Sequence, residues 1–183
     1  MSEIVPFESL DQRQTDQARD ILTRALAPWS AYKEKDEAEA EVASFLGNEE
    51  RLALAALEGG GLCGWIGAIR VYDHGWELHP LVVDPNRQGQ GIGRRLVHAL
   101  EERARAEQVL TLYFGTDDTF QGTNVYGVDL FADLPRHIAS IAPAKGHPLV
   151  FYRRLGFSVV GLLPDVNGLG KPDILMAKRV GGS

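Results

Sequence analysis

The spacing of apolar residues changes period several times along this chain, and each change predicts an element. Ile4–Phe7 reads as a short strand. Across Leu10–Leu26 the apolar positions Ala18, Ile21, Leu22, Ala25 and Leu26 recur at three and four residues. That predicts an amphipathic helix, ended by Pro28 and Trp29. A run of acids (Glu34, Asp36, Glu37, Glu39, Glu41) then leads into a second helix marked by Val42, Phe45 and Leu46. Leu52–Leu57 and Leu62–Tyr72 predict two strands, separated by the turn Glu58-Gly59-Gly60-Gly61, and Trp76–Val83 predicts a further strand. Ile92, Leu96, Val97, Ala99, Leu100 and Ala104 mark one face of a long helix, and Val109–Phe114 is again β-like. From Asp118 to His147 the pattern weakens, with helical spacing between Val128 and Ile141 interrupted by Pro135. Pro148–Leu155 predicts a short helix stopped by Gly156, and Phe157–Leu163 and Ile174–Lys178 predict closing strands. A strand-rich first half followed by alternating helix and strand is the signature of a mixed α/β (α+β) sheet domain.

Composition narrows the class. At 183 residues the chain is expected to form a single domain over residues 1–183, with a core that needs no staples. The formal charge of −6 and the absence of a basic stripe argue against nucleic acid as a partner, and a cationic small molecule suits that field better. Cys63 is the single cysteine, so no internal disulfide forms; it sits in an apolar strand pattern and reads as core. The opening residues lack a basic and apolar leader and no long apolar run follows, so a cytoplasmic protein that does not enter the membrane is expected. His74, His98, His137 and His147 show no metal-ligand spacing, and no metal is expected.

The densest chemistry lies in Leu81-Val82-Val83-Asp84-Pro85-Asn86-Arg87-Gln88-Gly89-Gln90-Gly91-Ile92-Gly93-Arg94-Arg95-Leu96. It reads as an apolar strand, a turn, a glycine-rich arch and the first turn of a helix. Backbone N–H groups gathered at a helix N-terminus form a site for phosphate or pyrophosphate. A magnesium-dependent phosphate loop would need Lys-Ser/Thr after its last glycine, whereas Gly93 is followed by Arg94 and Arg95. A dinucleotide fingerprint would need G-x-G-x-x-G, whereas Gly89, Gly91 and Gly93 run G-x-G-x-G. The alternative is a glycine-rich turn that merely caps a helix.

Just upstream, Glu77 and His79 are two apart, so on a strand both project from one face, opposite Trp76 and Leu78. Two titratable groups there suit proton transfer, although a solvated strand face would look the same. Pro80 cannot donate to a sheet ladder and marks a bulge, an edge or a splay. Such a break would free the N–H of Leu81 to stabilise an acyl oxygen. Farther on, His147-Pro148-Leu149-Val150-Phe151-Tyr152-Arg153-Arg154-Leu155-Gly156-Phe157 holds a tyrosine that serves either as a proton donor or as packing.

Gln88, Gly91 and Gly93 satisfy the pattern Gln/Arg-x-x-Gly-x-Gly/Ala, which resembles the coenzyme A pyrophosphate arm of the GNAT N-acetyltransferases. The Tyr152 segment resembles their second signature. Gly75–Val83, Phe114-Gly115-Thr116-Asp117-Asp118, Gly156–Gly168 and Lys171–Lys178 look like the aminoglycoside 6'-N-acetyltransferases, in the chromosomal branch that carries Trp-Glu-Leu-His-Pro-Leu before the arch. The likeness is fullest from Arg51 onward and thins between Phe120 and Gly146.

That resemblance implies a GNAT fold, with a mostly antiparallel central sheet splayed between strands 4 and 5 and flanked by helices. It implies acetyl-CoA as cosubstrate, a cationic aminoglycoside as acceptor, antibiotic resistance as outcome and a homodimer as assembly. Leu81, Val82 and Val83 would pair with the pantetheine arm, and Gln88, Gly89, Gln90, Gly91, Ile92, Gly93 and Arg94 would cradle the pyrophosphate. Glu77 and His79 would lie near the attacking amine, Leu81 would supply the donor to the thioester carbonyl, and Tyr152 would protonate the leaving thiolate. Trp29, Glu77 and Asp117 would contact the substrate. The acids from Glu34 to Glu41 would attract a polycation or form a solvated face. An acetyltransferase of another amine (a polyamine or a protein lysine) and a non-catalytic acyl-CoA sensor share these features.

Overall fold

Trp65 stands at the centre of the core that organises the first part of the chain. The computed structural model describes every residue except Met1, Ser30, Lys33, Lys145 and Ser183, and the side chains of Trp29 and Lys35 also lie outside the description. The chain divides into two compact units, Met1–Leu110 with Val180–Ser183, and Thr111–Arg179.

The first unit contains β1 (Glu3–Pro6), α1 (Gln12–Leu26), α2 (Lys35–Ser44), β2 (Arg51–Glu58), β3 (Gly61–Tyr72), β4 (Gly75–Val83) and α3 (Ile92–Ala106). Its strands run in the order β1-β2-β3-β4, each antiparallel to its neighbour. β3 is buried continuously from Leu62 to Ala68, with both α1 and α3 packed against it. Trp65 is fully buried between Phe7 and Phe45, with ring centroids 5.0 and 5.5 Å away, and its Nε1–H donates to the Ala18 carbonyl at 3.2 Å. Ile21, Leu22, Val42 and Val82 complete this cluster.

Local chemistry sets the element ends, and three of them differ from the periodicity. Phe7 is not in the first strand: Pro6 ends β1, and Phe7 turns into the core within the 3-10 turn Phe7–Ser9. α1 starts at Gln12 because Asp11 and Gln14 form a reciprocal capping box. The acidic run does not merely precede the second helix. Glu34 is the N-cap of α2, and Asp36 and Glu37 occupy its first turn, where carboxylates complement the helix dipole.

The second unit contains β5 (Thr111–Asp117), α4 (Leu134–Ser140), α5 (Leu149–Arg154), β6 (Ser158–Leu163) and β7 (Asp173–Arg179). Its strands are ordered β5-β7-β6, again antiparallel. Pro135 does not interrupt a helix; it lies in the first turn of α4, capped by Asp133, where a missing N–H costs nothing. Phe114, Tyr152, Phe157, Ile174 and Met176 are buried here. Strands paired antiparallel and flanked by helices in both units give the mixed α/β, mostly antiparallel class expected from the pattern.

Candidate active site

β4 carries the first group of candidates. Trp76 and Leu78 are buried while Glu77 and His79 are half-buried, the alternation the strand requires. The register against β3 shifts between Ile66 and Ala68, so β4 bulges at His79-Pro80, where the peptide bond is cis. Gly67 makes room for this bulge. A Cβ there would meet the His79 carbonyl oxygen at 2.3 Å and the Phe45 ring at 2.6 Å. Beyond the bulge, the Asp84 N–H donates to the Cys63 carbonyl at 2.9 Å, with Val83 paired to Gly64. Antiparallel alternation then turns Val82 toward β3 and directs the N–H and C=O groups of Leu81 and Val83 away from it. Their N–H groups therefore point to the side of β4 opposite β3, and that of Leu81 is the expected oxyanion donor.

The turn into the arch is fixed from α1. Arg24 donates to both carboxylate oxygens of Asp84, at 3.1 and 3.4 Å, and Asp84 Oδ1 accepts from the Asn86 N–H at 3.0 Å. The hydrogen bond from Arg24 holds the Asp84 carboxyl below its ordinary range. Arg87 donates to Glu58 and, at 2.9 Å, to Cys63 Sγ. Cys63 is fully buried, as expected of a core residue, and burial raises its thiol pKa.

The arch itself is exposed from Gln88 to Gln90. Gly89 and Gly91 have φ of 77° and 78°, and Gly91 is the N-cap of α3. Glycine is needed at this cap because an L side chain strains the left-handed region. With no side chain to cap the helix, and with the Arg95 N–H making the first intrahelical bond to the Gly91 carbonyl, the N–H groups of Ile92, Gly93 and Arg94 lack helical acceptors. Together with the positive end of the helix dipole they form a cradle for an anion. Ile92 contributes only its backbone, its side chain being buried. Arg94 is exposed, whereas Arg95 is engaged with Ser2 Oγ at 2.7 Å. The Gln88 side chain leans back toward the Val83 carbonyl at 3.4 Å.

Two residues that periodicity did not single out converge on His79. Tyr32 Oη lies 3.1 Å from His79 Nε2, and Glu41 Oε1 lies 3.3 Å from the same nitrogen. Arg51 Nη1 reaches that carboxylate oxygen at 3.3 Å. Burial opposes ionisation of Glu41, but the hydrogen bond and charge of His79, with the charge of Arg51, outweigh it and hold the carboxyl below its ordinary range. Burial, aided by Glu41, pushes the Tyr32 phenol up to about 12. Of the acidic run, Glu41 is hydrogen-bonded into this network and Glu37 acts on Tyr32 through its charge, while Glu39 stands 3.9 Å from Arg19. The side chain of Trp29, expected to contact substrate, lies outside the described residues.

The second unit holds Asp117 and Tyr152. Asp117 ends β5, exposed, and Asn167 Nδ2 donates to it at 2.6 Å. Its neighbour Asp118 is fully buried and accepts from the Gly122 N–H and Thr123 Oγ1, both at 2.7 Å. Tyr152 sits on α5 with its ring 4.1 Å from that of Phe114 and 5.7 Å from that of Phe157. Burial raises its phenol far above the ordinary value, so it stays protonated and remains a donor at any working pH. Among the described residues no three or more His, Cys, Asp or Glu gather as a metal site, and no helix is long and apolar enough to cross a membrane.

Comparison with known proteins places this geometry. A family model for the acetyltransferase (GNAT) family matches residues 15–128. The crystal structure of an aminoglycoside 6'-N-acetyltransferase complexed with coenzyme A is 40% identical in sequence, covering 99% of this chain and 98% of the other, with a TM-score of 0.90. An aminoglycoside 6'-N-acetyltransferase from Enterococcus faecium has the same identity and coverage and a TM-score of 0.88. An aminoglycoside 6'-acetyltransferase type Ii is 34% identical over 99% of both chains, with a TM-score of 0.72. A ribosomal-protein-S18-alanine N-acetyltransferase from Escherichia coli, at 21% identity and a TM-score of 0.67, shares the fold. No curated protein sequence matches the chain.

Proposed function

The chain belongs to the GNAT acetyltransferase family and uses acetyl-CoA, and from that premise we propose that its acceptor is the 6'-amine of an aminoglycoside. The observation that carries this reading is likeness at 40% identity over nearly the whole chain to proteins of that activity. The half-buried pair Glu77 and His79, immediately before an anion cradle, supports it. The same coverage supports reading residues 1–183 as one N-acetyltransferase domain.

The proposed division of labour follows from the groups available. The free N–H groups at the start of α3, with Gln88, Gly89, Gln90 and Gly91, bind the pyrophosphate of acetyl-CoA. Val82 and Val83 line the path of the pantetheine arm, and outward-directed N–H and C=O groups like those of Val83 pair with its amides. The Leu81 N–H polarises the thioester carbonyl and stabilises the oxyanion that forms when the amine attacks. Glu77 holds the cationic substrate and, with His79, assists removal of its proton. Trp29 and Asp117 contact the sugar rings. Tyr152 supplies the proton that the departing thiolate takes. Direct transfer in a ternary complex gains rate from aligning amine and thioester.

Acetylation removes one positive charge and one donor from the antibiotic, so the proposed cellular outcome is resistance, exercised in the cytoplasm by a homodimer. A coupled thiol-release assay with kanamycin or tobramycin tests the activity. No turnover at saturating substrate, with turnover of a polyamine or a lysine peptide in the same panel, would reassign the acceptor.

A further inference from the structure

His79 is gripped at one nitrogen by two groups from outside its strand. Tyr32 Oη and Glu41 Oε1 stand 3.1 and 3.3 Å from Nε2, whereas among the described residues no hydrogen bond reaches Nδ1. A carboxylate can only accept. The Glu41 side chain is 16% exposed, and Arg51 shares its Oε1. A lone pair on Nε2 aimed at that oxygen would be repelled, so Nε2 carries the hydrogen and shares it between Glu41 and Tyr32. The neutral ring then has its free lone pair at Nδ1.

The surroundings fix this arrangement. Arg51 Nη1 donates to Ser44 Oγ at 2.9 Å, and Ser44 Oγ donates to the Glu41 carbonyl at 2.6 Å, so carboxylate, hydroxyl and guanidinium brace one another. The guanidinium lies over the Phe45 ring, 5.1 Å from its centroid. Tyr32 adopts a φ of 53°, a left-handed conformation rare outside glycine, and packs against the first core. Among the described residues, the charged and titratable groups around the imidazole are Tyr32, Glu41 and Arg51, with Glu77 on its own strand and Glu37 acting on Tyr32. Arg51 and His79 thus share one carboxylate oxygen, which fixes the orientation of the ring.

We propose that Glu41 and Tyr32 are positioning residues that hold His79 in its Nε2–H tautomer, so that Nδ1 takes the proton from the acceptor amine. This deepens the acetyltransferase reading and rests on it. The acceptor's ammonium gives one proton to Nδ1, and the imidazolium, steadied by Glu41, releases it to solvent. The freed lone pair forms the N–C bond to the acetyl carbon. The C–S bond breaks with its electron pair going to sulfur, and the nitrogen's second proton is balanced by the proton the thiolate gains.

The test is nitrogen-detected NMR of ring-labelled histidine in the full chain, with kcat and the KM for each substrate, for wild type, Glu41→Gln, Glu41→Asp and Tyr32→Phe. The wild type is expected to show the Nε2–H tautomer. Glu41→Gln is expected to mix the tautomers and lower kcat/KM roughly 10- to 100-fold, with the KM for acetyl-CoA unchanged. Glu41→Asp is expected to restore part of the Nε2–H preference, and Tyr32→Phe to weaken it by a smaller amount. Unaltered tautomer and unaltered kcat/KM in both Glu41→Gln and Tyr32→Phe, in an enzyme that still acetylates, would overturn the pairing alone. A wild type that shows the Nε2–H tautomer but acetylates no amine would instead overturn the functional reading, and the base role with it.

Discussion

Replacing Tyr152 by Phe separates the chemistry of its hydroxyl from the packing of its ring. The ring is held by Phe114, Phe151 and Phe157, with centroids 4.1, 5.0 and 5.7 Å away. Phenylalanine keeps all of those contacts. No hydrogen bond to the hydroxyl is formed among the described residues, so its loss strands no partner, and stability should change by less than about 1 kcal/mol. If the hydroxyl protonates the thiolate, kcat should fall about 10²-fold, roughly 2.7 kcal/mol of barrier, with little change in KM. Tyr152→Ala, by contrast, empties the space between Phe114 and Phe157 and should cost about 3–5 kcal/mol of folding stability. Saturation kinetics by thiol release and urea unfolding of both variants give the two numbers. Burial keeps the phenol protonated, so its ionisation should add no basic limb to the wild-type kcat profile below about pH 10. Wild-type kcat in Tyr152→Phe would refute the proton-donor role. A parallel fall of kcat and stability in that variant would reduce Tyr152 to packing.

Three further outcomes follow from the same geometry. Gly91→Ala forces a side chain into φ of 78° at the N-cap of α3, at a cost of about 1–2 kcal/mol, and coenzyme A titration should show a corresponding loss of affinity with kcat largely preserved. Gly67→Ala places a Cβ 2.3 Å from the His79 carbonyl; urea melts should show a loss of about 1–3 kcal/mol, and activity should fall because β4 must move. The Glu41 carboxyl is held below its unfolded value, so its contribution to stability is present above the ordinary carboxylate range and is lost as the pH falls through its folded value. The stability gap between wild type and Glu41→Gln, followed by urea melts, should therefore shrink as the pH is lowered from about 5 to about 3.

What was legible in the sequence was what neighbours along the chain decide. The glycine arch, the Glu77/His79 face and the break at Pro80 all depend on residues within a few positions, and each lies where the spacing implied. Tyr32 and Glu41 were not found as partners of His79, because Tyr32 is 47 positions away and Glu41 looked like one acid among several in a charge run. The signal that separates Glu41 from its neighbours is helical phase: it lies three and four residues from the buried Ala38 and Phe45, on the margin of the packed face, whereas Asp36 and Glu37 serve the helix terminus. Pro135 misled for a related reason, since the same residue breaks a helix interior and opens a first turn, and the capping Asp133 decides between them. The brace from Arg24 to Asp84, 60 positions apart, left no local trace either.

The most direct test of the account is to incubate the purified chain with acetyl-CoA and tobramycin and to locate the product's acetyl group by mass spectrometry and NMR. The expected result is a single acetyl group on the 6'-amine, formed in step with free thiol. Acetyl on a different amine, or no transfer to any aminoglycoside while acetyl-CoA still binds, would contradict it.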